Sequence, residues 1–149
     1  MRKLAGVISV FALSLCLLSP AQAEEQRYIS IRNTDMVWVP GNVCVWQFRL
    51  DNGGSDEGFG LLILSLRLKD KQGNTVAVGE MSVEPFGDSD ATRTQDASLE
   101  HKCVENVSSV EIMKATEAYD GYQTDLPLSV FDPQYYHPLP VSVAGGQAS

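Results

Sequence analysis

From Val43 to Leu50 the side chains alternate: Cys44, Trp46, Phe48 and Leu50 share one face, while Gln47 and Arg49 lie on the other. A period of two marks a strand with one buried face, and it recurs along the chain. Ile29 and Ile31 alternate with Tyr28, Ser30 and Arg32 between Arg27 and Arg32. Met36 to Val39 is a second extended run, stopped by Pro40-Gly41. Leu62, Leu64, Leu66 and Leu68 form one face against Ser65, Arg67 and Lys69. Asp70 to Asn74 then reads as a hairpin turn into Thr75 to Val83, where the apolar set changes face around Gly79 and predicts a bulge. Thr94 to Val104 is less regular, Val107 to Thr116 alternates through Val110 and Ile112, and Leu126 to Phe131 and Leu139 to Val143 are short. Asp120-Gly121, between Tyr119 and Tyr122, signals a tight hairpin, because both central residues of such a turn need positive φ.

No window sustains a 3.6-residue period. Lys114 to Tyr119 has helix formers but is one turn long and leads into a hairpin. The expected fold is therefore all-β, a fibronectin type III or immunoglobulin-like β-sandwich of about seven strands. Trp46 follows Cys44 by two residues on the same strand, where antibody domains place the tryptophan on the next strand, so the fibronectin type III arrangement fits better.

The first residues carry a separate message. Arg2 and Lys3 precede an apolar stretch from Leu4 to Leu18, and Ala21-Gln22-Ala23 is a small-x-small cleavage signature before the polar run Glu24 to Arg27. This is the pattern of a secretory signal peptide over 1–23, leaving 24–149 as one domain. The apolar stretch is shorter than the ~20 residues a membrane span requires. Export implies an oxidising compartment, periplasmic or extracellular. With Cys16 removed, Cys44 and Cys103 have one intrachain pairing, closing a loop of about 60 residues worth roughly 4 kcal/mol. Losing Arg2 and Lys3 also takes the formal net charge of −8 two units lower. Such a surface disfavours nucleic acid and anionic membranes and favours solubility.

Catalytic chemistry has little to stand on. No serine sits in G-x-S-x-G, and His101 and His137 are the two candidate bases. Asp88-Ser89-Asp90 opens like a calcium loop, yet Arg93 stands where glycine is needed and Leu99 where the bidentate Glu belongs. No cofactor and no metal centre are expected. The tyrosines Tyr119, Tyr122, Tyr135 and Tyr136 sit near turns and form the candidate binding surface, since tyrosine supplies large contact area at low entropic cost. Capping the ends of the core is the competing role for them.

Longer strings add a resemblance. Tyr28-Ile29-Ser30-Ile31-Arg32-Asn33-Thr34-Asp35 is similar to the mature start of the interleukin receptor mimic protein A family of bacterial secreted proteins. Gln47 to Gly54, Asp56 to Gly60, Phe86 to Ser89, Cys103 to Val107 and Leu126 to Phe131 resemble it too. The resemblance implies a fibronectin type III-like protein that forms a domain-swapped dimer, with a surface similar to that of cytokine receptors. It also implies binding of host interleukins such as interleukin-2, interleukin-4 and interleukin-10. Asp51 to Gly60 and Pro85 to Thr92 are candidate hinges for the exchange. The alternative is an exported pilus or fimbrial-type subunit, which would need an alternating extension ahead of its own fold. Ile29 and Ile31 begin almost at the cleavage site, leaving little room for one.

Overall fold

The computed structural model describes residues 27–135 and 138–145. The expected leader 1–23, Tyr136 and His137 lie outside the described residues. Nine strands form two sheets: β1 Ile29–Val39, β2 Val43–Asp51, β3 Leu61–Lys69, β4 Thr75–Val83, β5 Thr94–Lys102, β6 Ser109–Tyr119, β7 Tyr122–Asp125, β8 Phe131–Pro133 and β9 Val141–Val143. One sheet has the order β5-β2-β1-β8 and the other β4-β3-β6-β7, with β9 also on β6. β7 pairs with the end of β6 and β9 with its start, while β8 runs parallel to the first residues of β1.

The alternation read in the sequence builds the core. Trp46, Phe48 and Leu50 from β2 and Leu62, Leu64, Leu66 and Leu68 from β3 are all buried, joined by Met81, Leu99, Val110 and Ile112. Two inward faces of aliphatic and aromatic side chains packed together remove a contiguous apolar surface from water, the main favourable term in folding. The turns follow their residues. Asp120 and Gly121 take φ of 45° and 82°, the paired positive values a two-residue hairpin needs.

Three expectations need correction. The runs 27–32 and 36–39 belong to one strand, interrupted by a register shift between Asn33 and Asp35. The extra residue resets the pleat, so Met36 and Trp38 lie opposite Trp46 and Cys44 and share their face. Gly79 is not at a bulge: it pairs directly with Leu66, and Ala77, Met81 and Val83 keep one inward parity through it. A Cβ at Gly79 would stand 2.8 Å from Leu99 Cδ1 of the opposed sheet, so glycine serves close approach there. Among the described residues the strands number nine rather than about seven, because three-residue β8 and β9 add to the sheets. β6 itself carries a bulge at Met113, and it runs on to Tyr119 through the helix-forming stretch.

Cys44 and Cys103 are bonded, with Cα atoms 4.9 Å apart and a sequence separation of 59. Cys44 lies on β2 opposite His101 of β5, so the bridge clamps two neighbouring strands at the end of their ladder. It fastens β5, an edge strand, instead of linking one sheet to the other.

Candidate functional site

Strand directions collect one set of connections at a single pole. The start of β1, the β2–β3 loop, the β4–β5 loop and the β6–β7 turn all meet there. Arg27, just ahead of β1, is the residue around which the pole is built. Its guanidinium donates to both carboxylate oxygens of Glu117 (2.7 and 2.6 Å) and to the Gly58 carbonyl (2.8 Å), and it lies 4.1 Å above the Phe59 ring centroid. Glu117 Oε2 also accepts the Gly60 N–H at 2.9 Å. Burial pulls the Glu117 carboxyl upward, but the Arg27 and Gly60 donors outweigh it and hold it below the usual carboxylate range. The Glu117 hydrogen bonds raise Arg27 in turn. A carboxylate only 5% exposed is tolerable because three donors and a cation meet it.

The two flanking loops are tied to one another through Asn52, which is buried. Its Nδ2 donates to the Glu57 and Gly87 carbonyls (3.2 and 2.9 Å), its Oδ1 accepts the Gly54 N–H, and its backbone N–H reaches Arg93 O. Phe59 and Phe86 pair their backbones and stack their rings 5.5 Å apart, and Arg93 bridges to Asp51. Asp51 to Gly60 and Pro85 to Thr92, the candidate hinges, are thus cross-linked to each other. Nothing in the local strings flagged Arg27, Asn52 or Glu117 as partners. Their side chains meet across 31 to 90 residues of sequence.

The tyrosines divide. Tyr119 and Tyr122 face each other across the β6–β7 turn and are 51% and 78% exposed. The Tyr119 ring lies against Gly60, which joins it to the Arg27 network. Tyr28 packs its ring beside Gly53 at the same pole and donates its hydroxyl to Asp132 (2.7 Å). Tyr135 is exposed too, but it follows β8 along the edge of β1, away from the turn. Exposed carboxylates surround the pole: Asp56, Glu57, Asp88 and Asp120 form no ion pair among the described residues, while the local arginines are already engaged. The outcome is a rigid, acidic, tyrosine-bearing platform.

Among the described residues, chemistry of other kinds finds no assembly. His101 Nδ1 lies 2.7 Å from Lys102 O and not against a carboxylate. Among the described residues no group of three His, Cys, Asp or Glu side chains is placed to hold a metal ion. No described helix is long and apolar enough to cross a membrane.

Comparison with known proteins supplies the context for this platform. The family model for interleukin receptor mimic protein A matches residues 29–134. A solved structure of IrmA from Escherichia coli is 65% identical in sequence, with a TM-score of 0.73, covering 76% of this chain and 96% of that one. A search of curated proteins finds no match.

Proposed function

Because this chain belongs to the interleukin receptor mimic protein A family, we propose that it is an exported, non-catalytic binding protein that engages host interleukins through the pole bearing Tyr119 and Tyr122. The observation that carries the surface assignment is the ladder pairing of those two exposed tyrosines at the end of β6, two residues beyond Glu117 and its bonds to Arg27 and Gly60. A preorganised aromatic pair loses little freedom on binding, and the unpaired carboxylates beside it favour a basic partner surface. The order β5-β2-β1 against β4-β3-β6-β7 supports the fibronectin type III reading of the sandwich, and with it the likeness to cytokine receptors.

In the same reading two subunits exchange strands. β8 and β9 are the cheapest elements to exchange, since each is three residues long. Exchange hinged at Asp51 to Gly60 or Pro85 to Thr92 would first have to break the Asn52 bonds. Static light scattering of residues 24–149 reads the exchange as a dimer mass that persists on dilution.

The binding test uses that same protein against interleukin-2, interleukin-4 and interleukin-10, with an unrelated acidic β-sandwich as control. Binding above the control is expected for one or more of them. The Tyr119→Ala/Tyr122→Ala double variant should lose at least about tenfold in affinity with an unchanged melting temperature, as truncation of central aromatic anchors does. If the wild type binds none of the three above control, the reading is wrong. Equal binding by the double variant would move the site off this pole.

A further inference from the structure

The far half of β1 is an open edge. β8 covers only Ile29, Ile31 and the residue between them, and Gln134 donates its N–H to Ile31 O. Beyond that point, among the described residues, no strand continues alongside β1. The Met36 N–H is taken by its own neighbour, Asp35 Oδ1, at 2.8 Å rather than by β2. In an antiparallel ladder the backbone groups of every second residue point away from the partner strand, so those of Trp38 face the same open side as those of Met36. The side chains repeat the anomaly. Met36 and Trp38 share the face of Trp46 and Cys44, yet they are 45% and 62% exposed because the opposed sheet does not reach them.

The remaining edges are protected. β5 shows Asp96, Glu100 and Lys102 to solvent, β4 shows Glu80, and all four residues of β7 are exposed and polar or tyrosine. Charges of this sort are how sheet edges avoid pairing. On the part of β1 that β8 leaves uncovered the charges are Arg32 and Asp35, both ahead of Met36, so Met36 to Val39 carries none.

We infer that this edge is an interface for a second copy of the chain, the two β1 strands pairing antiparallel about a two-fold axis through Val37. The register follows from the groups available. Met36 and Trp38 are the outward-facing residues, and they are placed symmetrically around Val37. Met36 of one copy then exchanges both backbone hydrogen bonds with Trp38 of the other, and the reverse, giving four bonds once each Met36 N–H leaves Asp35 Oδ1 for the facing strand. The same register lays each Trp38 ring beside the other copy's Met36, a favourable sulfur–aromatic contact. Only Asp35 to Val39 is needed, and it lies within Arg32 to Val39, the length β8 leaves uncovered. The surface is self-complementary, as a two-fold interface must be. It is also small beside the ~1,200 Å² of a stable complex, so association is weak and concentration-dependent.

This pairing is independent of strand exchange: an exchanged dimer would associate through it into a tetramer, and an unexchanged monomer into a dimer. The test is a cysteine at the axis. In the proposed register Val37 faces its own copy as a non-hydrogen-bonded pair, whose Cα separation of ~4.5 Å suits a disulfide. Val37→Cys, with the native bridge intact, should cross-link on mild oxidation at least about tenfold faster than Val78→Cys, even though Val78, on the other sheet, is the more exposed (63% against 37%). Trp38→Lys should abolish the concentration-dependent doubling of mass seen by sedimentation velocity between about 10 and 500 μM, and leave any exchanged dimer intact. A mass that never doubles, a Trp38→Lys variant that doubles like wild type, or Val37→Cys cross-linking no faster than Val78→Cys would each overturn the proposal.

Discussion

Among the described residues, Glu117 is the one charged side chain that is buried. It sits at an inward position of β6 where an apolar residue would ordinarily go, and it is held there by Arg27 and the Gly60 N–H. Removing one partner of a buried pair strands the other, so Glu117→Gln should lower stability at pH 7 by about 3 kcal/mol. The pH dependence has a definite sign. A carboxylate held below its unfolded value contributes stability that is complete above about pH 4.3 and is lost as pH falls through the lower folded value. Urea unfolding of wild type and variant at pH 7 and at pH 2.5 should therefore show a gap that closes in acid; a constant gap would mean that the ionised pair contributes nothing. Gly79 makes the second residue-scale case. Gly79→Ala pushes a methyl into Leu99 Cδ1 and should cost about 1–3 kcal/mol. The double variant with Leu99→Ala should be less destabilised than the sum of the singles, because the truncated side chain vacates the space. Strict additivity would refute the close approach.

At the scale of elements, loops that look free in sequence are fastened in space. Asp51 to Gly60 is rich in glycine and acid, a composition that suggests a mobile connection, yet Asn52 and the Phe59–Phe86 stack bind it to the β4–β5 loop. Asn52→Ala removes three side-chain hydrogen bonds at about 1 kcal/mol each. Native-state hydrogen exchange should show the Gly54 amide losing protection in that variant while β3 amides keep theirs. Unchanged Gly54 protection would show that the loops hold without Asn52. The bulges act at this scale as well. The one at Asn33–Asp35 turns Met36 and Trp38 toward the core face, and the one at Met113 lets Val110, Ile112, Ala115 and Glu117 all point inward along one strand.

For the molecule as a whole, the disulfide and the sandwich are separate contributions. The bridge closes a 59-residue separation within one sheet, so reduction should remove roughly 4 kcal/mol by limiting the unfolded chain less. The two hydrophobic faces stay in place, and far-UV circular dichroism should keep its β signature while the urea midpoint falls; loss of the signature on reduction would make the bridge a condition of folding. The sequence by itself determined the sandwich class, most strand positions, the Asp120-Gly121 hairpin and the Cys44–Cys103 pairing. Each of these rests on local periodicity, on turn chemistry or on a choice with one outcome. Of the tyrosines, only the Tyr119–Tyr122 pair was legible as a unit, because a two-residue turn forces them together. What the tertiary structure alone decided was the meeting of Arg27 with Glu117, the Asn52 bonds, the role of Gly79, the separation of Tyr135 and the open edge of β1. Contacts between residues tens of positions apart depend on which strands become neighbours, and one inserted residue in a strand reverses every face after it, which no two-residue period can announce.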